Sequence, residues 1–63
     1  MYNVYLISTD TFNATKLIKK HATLTEAVDL EIYEQKKYNP LDFYVAGFEV
    51  GSPEDIKHSK ILQ

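Results

Sequence analysis

The chain has 63 residues, of which nine are acidic and seven basic, and its net charge is −2. A chain this short forms a single domain with one small core, here residues 1–63, and the absence of cysteine excludes disulfide stabilisation of that core. Every basic residue is lysine, which argues against base-specific DNA recognition because that depends on the bidentate contacts of arginine.

Metal binding and membrane insertion are also disfavoured. His21 and His58 lie far apart in the sequence and match no metal-binding spacing, so we expect no metal and no cofactor. No segment approaches the roughly 18 apolar residues of a membrane-spanning helix, and the first residues do not resemble a secretion signal. We therefore expect a cytoplasmic protein. The bias toward Lys, Asn, Ile and Tyr, with no Arg, is typical of A/T-rich genomes, including those of viruses.

The first predicted element is a strand over residues 2–8, "YNVYLIS". The segment is rich in aromatic and β-branched residues and is too short for a helix. Its alternating positions give two faces, both largely apolar: Tyr2, Val4 and Leu6 on one, and Asn3, Tyr5 and Ile7 on the other. A strand that is apolar on both faces needs cover on both, so we predict that it is central in a sheet.

Residues 11–22 fit two structures. Apolar residues and one histidine recur at helical spacing, with three lysines on the opposite face. These residues are Ala14, Leu17, Ile18, His21 and Ala22. A helix here would give a βααβ fold, but it would leave only two strands. It would also have to end without Gly or Pro before Thr23, which must be non-helical to cap the next helix. We favour a hairpin in which residues 10–13 turn the chain into a second strand over 16–22.

A helix is predicted over residues 24–38, because Thr23 to Glu26 form a capping box and Asn39-Pro40 ends the helical geometry. A third strand, "DFYVAGFEV", follows. After a turn at Gly51, the segment "PEDIKHSKIL" fits either a short helix capped by Ser52 or a final strand. The predicted class is α+β, a small ββαβ unit whose antiparallel sheet is covered by one helix, with this short helix or strand at its C-terminal end.

Glu31 interrupts the apolar stripe of the predicted helix near its middle. One interpretation turns Ala27, Leu30 and Tyr38 toward the sheet and leaves the Glu31 carboxylate in water at the boundary. The other buries the carboxylate beside a basic residue of the preceding segment, because an unpaired buried charge costs several kcal/mol. The sequence favours the first interpretation.

Two groups of residues are candidates for contact with a partner. The interface candidates lie on the predicted helix and are Glu31, Tyr33, Gln35 and Lys37. Tyrosine is enriched at the energetic centres of protein interfaces. The candidates for nucleic-acid contact form the one basic cluster of the chain and are Lys16, Lys19, Lys20 and His21. Nucleic acid is the less favoured partner because the net charge is negative and arginine is absent.

No motif indicates catalysis. The serines lack the sequence setting of a nucleophile, no glycine-rich phosphate loop is present, and the acidic pair Glu54 and Asp55 is interpreted as solvated charge at a helix N-terminus. A chain of 63 residues also has little wall from which to build an active-site pocket. We therefore expect a non-enzymatic protein-binding module, an adaptor or inhibitor that docks on another protein or on itself. A weak single-stranded nucleic-acid-binding protein is the alternative.

Overall fold

The structure, a computed structural model, describes all 63 residues. It contains three strands and two α-helices, in the order β1 (Tyr2–Ser8), β2 (Ala14–Ala22), α1 (Leu24–Tyr33), β3 (Phe43–Glu49) and α2 (Pro53–Ile61). The predicted α+β class is confirmed, and residues 14–22 are a strand, so the βααβ alternative is wrong. The sheet is antiparallel with the order β2-β1-β3, which confirms the central position of β1.

Both helix starts follow the capping chemistry that the sequence indicates. The Thr23 hydroxyl accepts a hydrogen bond from the Glu26 backbone N–H at 3.2 Å, and the Glu26 carboxylate accepts one from the Thr23 N–H at 3.0 Å. The Ser52 hydroxyl caps α2 by accepting from the Asp55 backbone N–H at 3.3 Å, with Pro53 in the first turn of the helix. The segment after Gly51 is therefore a helix. The predicted helix over 24–38 is ten residues of α-helix followed by a 3₁₀ turn, Gln35–Lys37.

The two helices cover opposite faces of the sheet. On the α1 face, Val4 and Leu6 of β1 pack with three buried residues of other elements: Ala22, Ala27 and Val45. On the α2 face, Tyr5, Ile7 and Ala14 pack with three half-buried residues of β3: Tyr44, Ala46 and Phe48. Both faces of β1 are thus core, as its apolar alternation predicts, and the sheet is the middle of three layers.

The pairing of β1 with β2 is irregular, whereas that of β1 with β3 is not. Register shifts interrupt the β1–β2 ladder at three places, and His21 near the end of β2 has a left-handed backbone with φ of 55°. The Asn3 side chain holds this residue, since its Oδ1 accepts from the His21 N–H at 2.9 Å. The β1–β3 ladder runs without interruption from Tyr2 opposite Glu49 to Ser8 opposite Phe43.

Candidate functional site

The open edge of β3 is closed by two side chains, Glu31 of α1 and Gln35 of the 3₁₀ turn that follows it. Gln35 Oε1 accepts from the Val45 N–H at 2.8 Å, and Gln35 Nε2 donates to the Phe43 carbonyl at 3.0 Å. Glu31 Oε1 accepts from the Gly47 N–H at 3.0 Å. We refer to the side chains of Glu31 and Gln35 as the edge caps, because they satisfy backbone groups that a neighbouring strand would otherwise bind.

The rotation of α1 explains why a carboxylate interrupts its apolar stripe. Ala27 is the buried residue of α1, and Leu30 packs against the same core. Glu31 follows on the β3 side of the helix, where its side chain is exposed but its carboxylate reaches the sheet edge. This is the boundary position that the sequence favours, with one difference: the carboxylate binds a backbone N–H of β3. This N–H is 16 residues away in the sequence and reaches Glu31 because the fold places β3 beneath α1.

An exposed apolar row runs along α1 beside the edge caps. It consists of Leu24, Val28 and Ile32, which are 60%, 45% and 51% exposed, and we call it the α1 row. Residues four apart form one ridge on a helix surface, and such ridges pack into the grooves of other helices. At 100° per residue the row points away from Ala27 on the side of Glu31, and therefore lies above the open edge of β3.

The two remaining interface candidates are Tyr33, the last residue of α1, and Lys37, the last residue of the 3₁₀ turn. Tyr33 is 63% exposed and its ring is covered on one face by the Lys36 ammonium, 5.2 Å from the ring centre. Lys37 is exposed and forms an ion pair with Glu34 at 3.0 Å. The structure thus divides the four candidates: Glu31 and Gln35 bind β3, whereas Tyr33 and Lys37 face solvent.

The basic cluster lies on β2 and is partly engaged within the chain. Lys19 forms an ion pair with Glu26, and this hydrogen bond, with those of the Thr23 backbone and hydroxyl, lowers the pKa of Glu26 to about 2. The Lys16 ammonium lies 5.8 Å from the centre of the Tyr38 ring. Lys20 and His21 are exposed. The four residues belong to one strand, but two of the three lysines have partners of their own.

A buried polar cluster beneath α2 was missed by the sequence reasoning. Asp55 is only 5% exposed, which corrects its interpretation as a solvated charge. Its Oδ1 accepts from the Tyr5 hydroxyl at 2.6 Å and from Asn3 Nδ2 at 2.8 Å, and its Oδ2 accepts from the Gly51 N–H at 2.9 Å. The one signal in the sequence was Asn3, a polar residue on an otherwise apolar strand face, for which a buried partner is needed.

The hydrogen bonds of this cluster decide its protonation states. Burial alone would raise the pKa of Asp55, but the hydrogen bonds from Tyr5, Gly51 and Asn3 outweigh it and lower the pKa below its usual value. Burial, followed by the hydrogen bond to Asp55, raises the pKa of Tyr5 to about 12. Asp55 is therefore ionised and Tyr5 neutral at pH 7. Every buried side-chain nitrogen and oxygen has a hydrogen-bond partner, which accounts for the cluster as part of the core.

His58 is the other buried polar residue of α2. Its ring stacks on Phe48 with centres 5.3 Å apart, and its Nδ1 accepts from the Ala14 N–H at 3.2 Å. This bond requires an unprotonated Nδ1. Burial and the nearby Lys57 lower the pKa of His58, which agrees with a neutral ring. The residue anchors α2 to the hairpin of β1 and β2.

One open cleft of about 440 Å³ lies beside the end of α2. It is lined by Tyr5, Lys16, Leu17, Ser59, Leu62 and Gln63. Among these, the Tyr5 hydroxyl is already bound to Asp55. No group of three or more His, Asp or Glu side chains converges in a way that could hold a metal ion. The other polar side chains of its wall, Lys16, Ser59 and Gln63, lie beside Leu17 and Leu62, and none of the three is buried.

Comparison of the chain with family models, with curated proteins and with solved structures found no match. Neither helix has the length and apolar character needed to cross a lipid bilayer.

Proposed function

We propose that this chain is a small non-enzymatic protein-binding module, an adaptor or inhibitor that docks on a protein partner through the α1 row. The observation that supports this proposal is the row itself, three aliphatic side chains that are each close to half exposed or more on one helix ridge. Contiguous apolar surface of this kind is typical of interaction sites. Tyr33, exposed one residue after Ile32, adds a side chain that is enriched at interface centres.

The sheet edges favour this helical surface over strand addition as the docking mode. At the β3 edge, the edge caps occupy the backbone groups that an added strand would bind. At the other edge, β2 carries three lysines and its ladder is interrupted by register shifts. Lysines and bulges both oppose pairing with a further strand. The α1 row carries neither kind of protection.

The size of the chain supports a role that depends on a partner. Only 11 of 63 residues are buried, and no disulfide stabilises so small a core. A partner that binds only the folded state adds to its stability by mass action. The partner in this proposal is another protein or a second copy of the chain. Its proposed setting is the cytoplasm, because a cysteine-free chain has no need of an oxidising compartment.

The test compares two matched variants in affinity capture from the cells that make the protein. Val28→Gln removes the centre of the α1 row, and Ile56→Gln makes a similar aliphatic-to-amide change on α2 at a residue that is also 45% exposed. We expect one stoichiometric protein to be recovered with the wild type and Ile56→Gln but not with Val28→Gln. Equal recovery by both variants would contradict the role of the α1 row.

Nuclease treatment of the same extract separates the two partner classes. Recovery that is unchanged by nuclease supports direct docking on a protein. Recovery that is lost after nuclease, and lost again when Lys16, Lys19 and Lys20 are all changed to Gln, would contradict the proposal and favour nucleic-acid binding by β2.

A further inference from the structure

We propose that the edge caps Glu31 and Gln35 keep closed a two-fold self-association surface, formed by the open edge of β3 and the α1 row, whose occupant is a second copy of this chain. The inference rests on the proposed function in using the same α1 row, and it names one partner for that row. Three geometric relationships support it, namely the direction of the β3 backbone groups, the position of α1 over the sheet, and the level of Val28 along β3.

The β3 backbone is arranged so that a second copy can pair with it. Val50 N–H donates to the Met1 carbonyl and Thr9 N–H donates to the Asp42 carbonyl, so the even-numbered residues of β3 bond to β1. The odd-numbered residues, Phe43 to Glu49, therefore direct their backbone groups to the open edge. An antiparallel copy paired about a two-fold axis at Gly47 would place Gly47 opposite itself and Val45 opposite Glu49 of the other copy.

The position of α1 gives the two helices a normal packing distance in such a dimer. Ala27 lies over Gly47, since a Cβ added at Gly47 would be 3.4 Å from the Ala27 Cβ and 3.6 Å from Val4 of the neighbouring strand. The axis of α1 thus lies above the boundary between β1 and β3. With strands about 4.8 Å apart, the axes of the two α1 helices would be about 10 Å apart, within the range of packed helices.

The centre of the α1 row lies beside Gly47, the residue through which the two-fold axis would pass. Ala27 lies over Gly47 and Glu31 binds its N–H, so the turn of α1 that contains Val28 is at the level of Gly47. A two-fold axis there packs Val28 against its own copy and Leu24 against Ile32 of the other copy. One contact would bury the exposed ridge of each α1 and complete the hydrogen bonds of each β3 edge.

The edge caps oppose this association in two ways. Gln35 occupies the Val45 N–H and the Phe43 carbonyl, and Glu31 occupies the Gly47 N–H, so these bonds must break before a second β3 can pair. The axis at Gly47 would also bring the Glu31 carboxylates of the two copies together, and like charges at an interface repel. The edge caps therefore act against the dimer, and their removal favours it.

The experiment measures the dimerisation constant by sedimentation equilibrium. The test variant is Glu31→Ala with Gln35→Ala. Its matched control is Asp29→Ala with Gln63→Ala, which likewise replaces one carboxylate and one glutamine, at exposed side chains that have no hydrogen bonds in the structure. We expect the dimer of the test variant to be at least about tenfold tighter than that of the control. Adding Val28→Gln to the test variant should reverse the gain, because it removes the apolar centre of the interface.

Equal dimerisation constants for the test variant and the control would overturn the proposal, as would a gain that Val28→Gln does not reverse. If the test variant does not fold, the single change Gln35→Met is used against Gln63→Met, with the same expectation and the same contrary result. Amide hydrogen exchange then locates the contact: the Val45 and Gly47 amides should become protected as concentration rises. A negative result in the dimerisation experiment does not change the result of affinity capture with Val28→Gln, so the two proposals can be contradicted separately.

Discussion

The side-chain amide of Gln35 binds the backbone of Val45 in the way that a neighbouring strand would. Its Oε1 accepts from the Val45 N–H at 2.8 Å, and its Nε2 donates to the carbonyl two residues earlier at 3.0 Å. A side-chain amide has the same donor and acceptor as a peptide group, and one glutamine therefore satisfies two backbone groups of an edge strand. Gln35, which the sequence indicated as an interface candidate, therefore stabilises the edge of the sheet within its own chain.

Gln35→Met tests this bond pair directly. Methionine has a similar length but no amide, so two backbone groups of β3 lose their partners, and we expect a loss of about 1 to 2 kcal/mol in the free energy of unfolding. Chemical denaturation measures the change. Gln63→Met at the exposed C-terminus is the control and should be within about 0.5 kcal/mol of the wild type. Equal effects of the two changes would show that the Gln35 bonds contribute nothing.

Replacement of Glu31 separates its charge from its role as an acceptor. Glu31→Gln keeps a side-chain oxygen for the Gly47 N–H, so we expect its stability to remain within about 0.5 kcal/mol of the wild type. Glu31→Leu removes the acceptor and should cost about 1 kcal/mol. The two variants are compared by urea denaturation. A stabilising Glu31→Leu would mean that water satisfies the edge as well as the carboxylate does.

Asp55→Asn should be strongly destabilising although it leaves the side-chain volume unchanged. The carboxylate accepts hydrogen bonds from Tyr5, Asn3 and Gly51, and an amide would place its own donor against at least one of them. Bonds to a charged acceptor are worth about 1.5 to 3 kcal/mol, and we expect a loss in that range. Glu54→Gln, the same change at the exposed neighbour, should be nearly silent in the same thermal melts. Equal losses would contradict the buried cluster.

The N-cap of α1 is expected to stabilise the whole domain. Thr23→Ala removes the hydroxyl that accepts from the Glu26 N–H, at a cost of about 1 kcal/mol. In a domain this small, such a loss lowers the thermal midpoint by several degrees. Thr25→Ala, two residues into the first turn of the helix, is the control. A midpoint that is the same for Thr23→Ala and the wild type would show that the capping box contributes nothing to stability.

Stability should fall on acidification from neutral pH because of His58. Burial lowers its pKa in the folded state, so the unfolded state binds the proton more readily. The stabilisation is complete above the unfolded pKa of about 6.5 and is lost as the pH falls through the lower folded value. Asp55, whose pKa is also lowered by its hydrogen bonds in spite of burial, adds a further loss below about pH 3.8.

The measurement is the free energy of unfolding at pH 7 and at pH 5. His58→Gln keeps an oxygen for the Ala14 N–H and removes the titration, so its stability should change less between the two values. His21→Asn keeps a residue that tolerates the left-handed backbone of that position and should retain the wild-type slope. The assignment to His58 would be contradicted if the change in stability between pH 7 and pH 5 became smaller in His21→Asn but not in His58→Gln.

The sequence by itself determined the elements whose signals are local. The capping box at Thr23 and the two apolar faces of β1 depend on neighbours along the chain, and each predicts the structure that forms. Ser52 and Pro53 are equally local signals, but they left a final strand open as an alternative to the helix α2. The second strand, predicted over residues 16–22 and observed over Ala14–Ala22, followed from the cap that comes after it and from the need for a third strand, because its own pattern also fits a helix.

Only the tertiary structure decided the partners of Glu31 and Asp55, because those partners are distant in the sequence. Glu31 binds a backbone group 16 residues away, and Asp55 binds Tyr5 across 50 residues. A carboxylate in water and a carboxylate bound to a sheet edge have the same sequence pattern. What distinguishes Glu31 is the hydrogen bond from the Gly47 N–H, which folding brings close. The solvent exposure of the α1 row was decided in the same way, by the rotation of α1 that places Ala27 over Gly47.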